Sequence, residues 1–229
     1  MVLGIETSGM NTGVSLIKER RVLYEVSIYT RARHNEMIYS LLSTALENVG
    51  IKANDLKGIA VSSGPGMFTS LRVGITLAKG LSFSLNIPVV GINTLDALAY
   101  SISPSPWLII PIIDAKKREV YTAFYKNSER VSEYMIIPPE ELIKEVKEPV
   151  IFLGDGILKY GEILKEELRD LFHLPERNPL SPSPGIIGIL GEGRLEKGEK
   201  EPIEDLEPFY LRRTDAEIHR DSKDGRVRP

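Results

Sequence analysis

Gly64-Pro65-Gly66-Met67-Phe68-Thr69-Ser70-Leu71-Arg72 follows the short apolar run Ile59-Ala60-Val61 and opens a long apolar helical pattern. The order reads as a loop joining a strand to a helix. Glycine tolerates dihedrals closed to other residues, proline stiffens the turn, and Thr69 or Ser70 is placed to cap the first helical amides. Such a turn is either a close-packed corner or a place where a phosphate or a partner's backbone comes near.

Working outward, the hydrophobic period changes in a regular order. Val2 to Ile5, Thr12 to Ile17 and Arg21 to Ile28 are β-favouring segments separated by Gly-rich or charged turns, which predicts three opening strands. A helix is expected from about Glu36 to Val49, stopped by Gly50, then a strand at Ile59 to Val61 and a helix from about Thr69 to Leu85. A strand at Val89 to Ile92 and a helix from Thr94 complete the first half. Ser103-Pro104-Ser105-Pro106 marks a boundary, after which Trp107 to Ile113, Val120 to Tyr125 and Val131 to Ile136 restart the strand pattern. A helix from Pro139, a strand at Val150 to Leu153, a helix from Ile157 to Phe172 and a last helix beyond the linker Pro179 to Pro184 follow. The class is α/β. The expected organisation is a first lobe over 1–103, a smaller second lobe over 107–214 and a frayed tail over 215–229.

Composition excludes several classes of function. The chain has 229 residues, 42% hydrophobic, with a net charge of only -3. It has the material for one or two cores but no global basic field, so contact with nucleic acid must be local or come through a partner. Cysteine is absent, which removes disulfides, thiol catalysis and cysteine-based zinc sites. The three histidines, His34, His173 and His219, are too scattered for a His-x-x-x-His metal site. There is no phosphate-binding Gly-x-x-x-x-Gly-Lys-Ser/Thr loop and no Gly-x-Ser-x-Gly elbow. No apolar run approaches the roughly 20 residues that span a bilayer, and the first residues lack a signal peptide's basic region, so the expected location is the cytoplasm. His34 would need an oriented carboxylate to act as a base; with Glu36 two residues on at a helix entry, the reading is capping or packing.

The two central helices carry the stronger functional signal. At about 100° per residue, Ser70, Gly74, Ala78 and Ser82 form a ridge of small side chains beside an apolar stripe of Val73, Leu77, Leu81 and Leu85. In the preceding helix Met37, Ile38, Leu41, Leu42, Ala45, Leu46 and Val49 sweep roughly half the circumference. So narrow a polar face predicts cover on more than one side, and the small ridge predicts close approach of a second helix. The expected partner interface is therefore Met37, Leu41, Ala45, Ser70, Val73, Gly74, Leu77, Ala78 and Leu81.

The Gly64–Arg72 block resembles the Gly-Pro-Gly-x-Phe-Thr-Gly-Leu-Arg stretch of the TsaB (YeaZ) family, bacterial proteins that help to make threonylcarbamoyladenosine on tRNA. Further blocks match in order: Ile5-Glu6-Thr7-Ser8, His34-Asn35-Glu36, Thr94-Leu95-Asp96-Ala97-Leu98-Ala99, Ile113-Asp114-Ala115-Lys116-Lys117-Arg118-Glu119-Val120-Tyr121 and Glu207-Pro208-Phe209-Tyr210-Leu211-Arg212. Glu6 departs from the family's usual aspartate and Ser70 from its glycine, the latter implying a position that is already helical. The resemblance implies a two-lobed actin-like (ASKHA) fold built from ribonuclease-H-like halves, the second reduced. It implies a non-catalytic scaffold of tRNA N6-threonylcarbamoyladenosine synthesis that docks on the metal-bearing catalytic paralogue TsaD, is joined by the ATPase TsaE, and pairs with itself in their absence. tRNA would be reached through the complex. No cofactor is expected on the chain itself; ATP or ADP with Mg would enter only in the complex. The rival reading is a nucleotide-dependent kinase or hydrolase gripping phosphate with Glu6, Thr7, Ser8, Gly64 and Gly66, with Asp114 as base. A metallopeptidase of the older M22 grouping lacks its histidine pair.

Overall fold

The computed structural model describes residues 1–30 and 33–211. Three strands open it: β1 (Val2–Glu6), β2 (Asn11–Lys18) and β3 (Arg21–Tyr29). Then come α1 (His34–Val49), β4 (Gly58–Gly64), α2 (Phe68–Leu85), β5 (Val89–Asn93) and α3 (Thr94–Tyr100). These strands make one sheet in the order β3-β2-β1-β4-β5, antiparallel on the hairpin side and parallel from β1 to β5. The expected β-β-β-α-β-α-β-α order holds. Gly50 ends α1 in left-handed backbone at φ 72°, as its placement predicts.

The second sheet runs β10 (Met135–Ile137), β7 (Val120–Thr122), β6 (Leu108–Asp114), β11 (Val150–Leu153), β12 (Phe172–His173), with β8 (Tyr125–Lys126) on β6 and β9 (Glu129–Arg130) on β8. α4 (Pro139–Glu145) and α5 (Ile157–Leu168) cover it. Three expectations need correction here. The segment from Val120 to Tyr125 is split between β7 and β8, because Tyr125 turns inward to donate its hydroxyl to Asp96 at 2.7 Å. The strand expected at Val131 to Ile136 is only Met135–Ile137, since Val131 ties back to Phe124 (N–H to O, 2.7 Å) and does not continue a ladder. The helix expected to reach Phe172 stops at Leu168, and Phe172 instead joins β11 as an edge strand with its ring stacked on Phe152.

A larger correction concerns α6 (Pro184–Glu196), which sequence order assigns to the second lobe. It returns to the first sheet and packs under β1, β2, β4 and β5, on the face opposite α1 and α2. Its glycines make this possible: a Cβ on Gly191 would collide with Ala60, and one on Gly188 with Ile17. β1, buried along its whole length, is thus sandwiched between helical layers. The lobes are further joined through α3, whose Leu95, Leu98 and Ala99 share a core with Ile109, Ile113, Tyr125 and Leu153. Asp96 accepts hydrogen bonds from both Tyr125 and Tyr134. The tail expected over 215–229, and Arg212 of the closing motif, lie outside the described residues.

The β2–β3 hairpin turn shows how α6 supports the sheet. Glu19 and Arg20 both sit at positive φ (53° and 59°), where tight hairpins usually place Asn-Gly. Glu192 of α6 compensates: Oε1 accepts the Glu19 N–H at 3.1 Å and Oε2 the Arg20 N–H at 2.6 Å. Glu192→Ala leaves both amides without these partners, and stability should fall by about 2–3 kcal/mol. A denaturation midpoint shift at unchanged slope is the check.

Candidate functional site

α1 and α2 lie side by side on one face of the first sheet, and the side of each that meets the sheet is the one rich in small and aliphatic residues. Ser70, Gly74, Leu77, Ala78 and Ser82 of α2, with Leu41 and Ala45 of α1, are buried in the chain's own core. A Cβ on Gly74 would collide with Thr7 Oγ1, so this glycine serves the approach of α2 to the end of β1. The interface expected at Leu41, Ala45, Ser70, Gly74, Leu77 and Ala78 is thereby corrected. The small ridge faces inward, and only Met37, Val73 and Leu81 of that set reach the surface in part.

The outward face is a different stripe. Thr69, Arg72, Thr76, Gly80 and Phe83 fall within a narrow angular band on α2 at about 100° per residue, all of them exposed. Phe83, near the end of α2, is 81% exposed, and Tyr39 of α1 is 62% exposed. Between the helices lies a groove of ≈ 380 Å³ whose apolar lining is Tyr39, Phe68 and Val73, with Arg72 and Thr76 on its rim. The closing motif steadies one end. Tyr210 stacks on Phe68 with ring centroids 5.4 Å apart, and Arg72 lies 3.8 Å over the same ring while Nε donates to the Tyr210 hydroxyl at 3.3 Å. The sequence signal for this face was present in the aromatic residues at polar-side positions, Tyr39 and Phe83, which a count of aliphatic stripes passes over.

Beneath the face, His34 is a packing residue. Its Nδ1 lies 2.6 Å from Thr12 Oγ1 and its Nε2 3.0 Å from Ser70 Oγ, so one ring joins α1, β2 and α2. Burial holds its pKa below the ordinary histidine range. Ser70 is helical and buried, as the departure from glycine implied, and the hydroxyl is used by His34.

The second feature is the cleft between the lobes, ≈ 480 Å³, bounded by Ser8, Gly66, Thr94, Asp114, Lys116 and Asp155 among others. Of the candidate phosphate residues, Ser8, Gly66 and Asp114 line it, whereas Glu6, Thr7 and Gly64 are buried behind it. Glu6 is sealed from solvent. Its Oε1 accepts the Ser8 N–H at 2.6 Å and the Ser8 hydroxyl at 2.5 Å, and Oε2 has no partner, like Thr7 Oγ1 beside it. Burial raises its pKa to about 7, against the partial offset of the Ser8 hydrogen bonds. Asp114 is held by Lys116 Nζ at 2.8 Å and Lys159 Nζ at 3.3 Å; burial pushes its pKa up, but these partners bring it below the usual value. Asp155, which accepts the Asp114 N–H at 3.0 Å, is pushed up by burial and by the Asp114 charge. A Mg-nucleotide needs open, ionised carboxylates. A sealed Glu6 and a lysine-clamped Asp114 do not fit that group. Among the described residues, no group of three or more His, Cys, Asp or Glu could hold a metal ion, and no helix is long and apolar enough to cross a membrane.

Two lobes of this topology, with three antiparallel strands leading each half into βα units and a cleft between, define an actin-like α/β protein. The activator of 2-hydroxyisocaproyl-CoA dehydratase from Clostridium difficile shares the fold at TM-score 0.53, with 10% identity over 88% of this chain and 98% of that one. YeaZ from Pseudomonas aeruginosa is more similar: TM-score 0.74, 25% identity, 92% of this chain and 99% of that one. Residues 27–220 match the TsaD family model, tRNA N6-adenosine threonylcarbamoyltransferase. The tRNA threonylcarbamoyladenosine biosynthesis protein TsaB of Bacillus subtilis is 30% identical over 94% of this chain and 96% of its own length. The chain belongs to the TsaB (YeaZ) family of tRNA threonylcarbamoyladenosine biosynthesis proteins.

Glu6 generates a pH prediction with a defined sign. Its folded pKa, about 7, stands above the ordinary 4.5, so its stabilising contribution is complete below pH 4.5. That contribution is lost as pH rises from there through 7, roughly 3 kcal/mol in all. In Glu6→Gln this part of the pH dependence should vanish, read as unfolding free energy against pH.

Proposed function

We propose that the chain is a non-catalytic docking subunit of the tRNA-modifying assembly. In this reading the outer face of α1 and α2 seats the catalytic paralogue TsaD, the ATPase TsaE joins the pair, and tRNA is engaged through the complex. The observation that carries it is the exposed stripe Thr69, Arg72, Thr76, Gly80 and Phe83 beside Tyr39, an aromatic and small-residue helix face with an apolar groove along it. Exposed aromatics beside a groove mark a protein contact, and small residues at the centre let helices approach closely. The match of residues 27–220 to the transferase's own family model supports a paralogue as occupant, because a partner with a similar helix pair gives a quasi-symmetric four-helix contact.

The same face is self-complementary. Phe83 lies eleven residues from Arg72, about 16 Å along α2 at 1.5 Å per residue. Two copies of α2 crossing antiparallel at Thr76 and Gly80 bring each Phe83 over the other's groove, so the chain pairs with itself when the paralogue is absent. Its place of action is the cytoplasm, with no membrane contact.

Phe83→Glu and Thr76→Trp should leave the circular dichroism spectrum and melting temperature intact and weaken both self-association and paralogue binding by tenfold or more, at least about 1.4 kcal/mol. Light scattering reports the mass and pull-down the partner. Leu77→Glu, which introduces a charge into the core, should unfold the chain. If both surface variants stay dimeric and bind the paralogue normally, the docking assignment is wrong.

A further inference from the structure

The segment after α6 returns along the first lobe as a strap that contains neither helix nor strand. Glu201 N–H bonds Val89 O at 3.1 Å, and Lys79 of α2 donates to Glu204 O at 3.3 Å. Leu206 is sealed in the core shared with α1 and α2, and Phe209 N–H bonds Ser63 O at 2.7 Å. The strap therefore runs from β5 past Lys79 to the start of α2. There Tyr210 stacks on Phe68 and its hydroxyl accepts the Arg72 Nε–H.

The second lobe grips the end of this strap. Tyr134, just before β10, meets the Phe209 ring edge-on, with centroids 5.3 Å apart and planes at 65°. Tyr134 is itself held. Its hydroxyl donates to the Asp96 carboxylate of α3, 2.9 Å from Oδ1 and 2.8 Å from Oδ2, and Arg130 lies 4.1 Å over its ring. Phe209 and Tyr210 each remain 36% exposed, so the core does not enclose either ring, and the aromatic contacts on each side orient them. Contacts run without a break from Asp96 through Tyr134, Phe209 and Tyr210 to Phe68 and Arg72. They begin at the joint between the lobes and end at the α1–α2 groove.

We propose that Tyr134 is a positioning residue for the docking face. Held by Asp96, it fixes the Phe209 ring, and through the adjoining residue it fixes Tyr210 against Phe68 and Arg72. The second lobe thereby tunes how tightly a partner seats on helices of the first. A face ordered before the partner arrives spares the complex the cost of ordering it, so freeing Tyr210 lowers affinity without removing a contact residue. The proposal rests on the reading of the α1–α2 face as the docking surface.

The test uses the full chain labelled with fluorotyrosine, the Tyr210 fluorine resonance being assigned by Tyr210→Phe. Tyr134→Ala and Phe209→Ala each break the path. Tyr134→Phe keeps the ring against Phe209, and Tyr125→Phe removes a different hydrogen bond to Asp96, of 2.7 Å, without touching the strap. In the two alanine variants the Tyr210 resonance should lose the shift imposed by the Phe68 ring, and affinity for the transferase paralogue should fall by about tenfold. Tyr134→Phe should stay nearer the parent in both readouts, and Tyr125→Phe should change stability alone. Circular dichroism confirms that each variant is folded; should Tyr134→Ala not fold, Phe209→Ala decides. An unmoved Tyr210 resonance, or a moved one with unchanged affinity, overturns the proposal. So does a loss of affinity in Tyr125→Phe equal to that in Tyr134→Ala, which makes the effect one of stability. Should the parent chain not bind the paralogue, the docking reading fails separately, and the Tyr210 resonance with the affinity of self-association decides the positioning role.

Discussion

The structure depends on helices approaching both faces of the first sheet at very short range. α2 comes down where Gly74 meets Thr7, and α6 comes up where Gly188 and Gly191 meet Ile17 and Ala60. At these points even one additional carbon would push the layers apart. Interiors are packed as densely as organic crystals, so the separation of the layers is set by these few contacts. Everything on the outer side of α1 and α2 takes its position from them.

Two-sided burial has a cost in polar groups, and the chain meets it unevenly. His34 is satisfied by two hydroxyls and welds α1 to β2 and α2. Glu192 satisfies two amides of a strained turn. Glu6 and Thr7, at the end of β1, each keep one unpartnered oxygen in the interior. This corner lies next to the cleft, and Ser8 turns back onto Glu6, whose carboxylate is sealed from solvent. Of the acids that line the cleft, Asp114 is paired with Lys116 and Lys159, and Asp155 accepts the Asp114 N–H.

The surfaces that remain differ in chemistry. The α1–α2 face presents Tyr39 and Phe83 among small and polar residues, with Glu36, Glu47 and Arg72 as exposed charges, and the closing segment pins Phe68 and Arg72 in place through Tyr210. The hairpin tip at Lys116 to Arg118 carries three basic residues at positive φ, the first of them held by Asp114. Both sit on regular elements of the fold, one on a helix pair backed by the sheet and one on a two-stranded ladder.

The sequence alone determined the order of elements in the first lobe, the strand-to-helix corner at Gly64 to Gly66, the stop at Gly50 and the absence of any cysteine chemistry. These follow from local period, turn residues and composition, which need no knowledge of distant contacts. It also showed that α2 carries a small ridge, but not which way the ridge points. A helix with small, apolar and aromatic residues around most of its circumference fits a sheet on more than one side; the choice was made by Thr7, sixty-seven residues from Gly74, whose side chain occupies the space a Cβ would need. The return of α6 to the first sheet, the sealing of Glu6 by its own turn and the short edge strand at Phe172 were likewise decided by tertiary packing. In each case the deciding atom belongs to a layer or turn that periodicity along the chain does not encode.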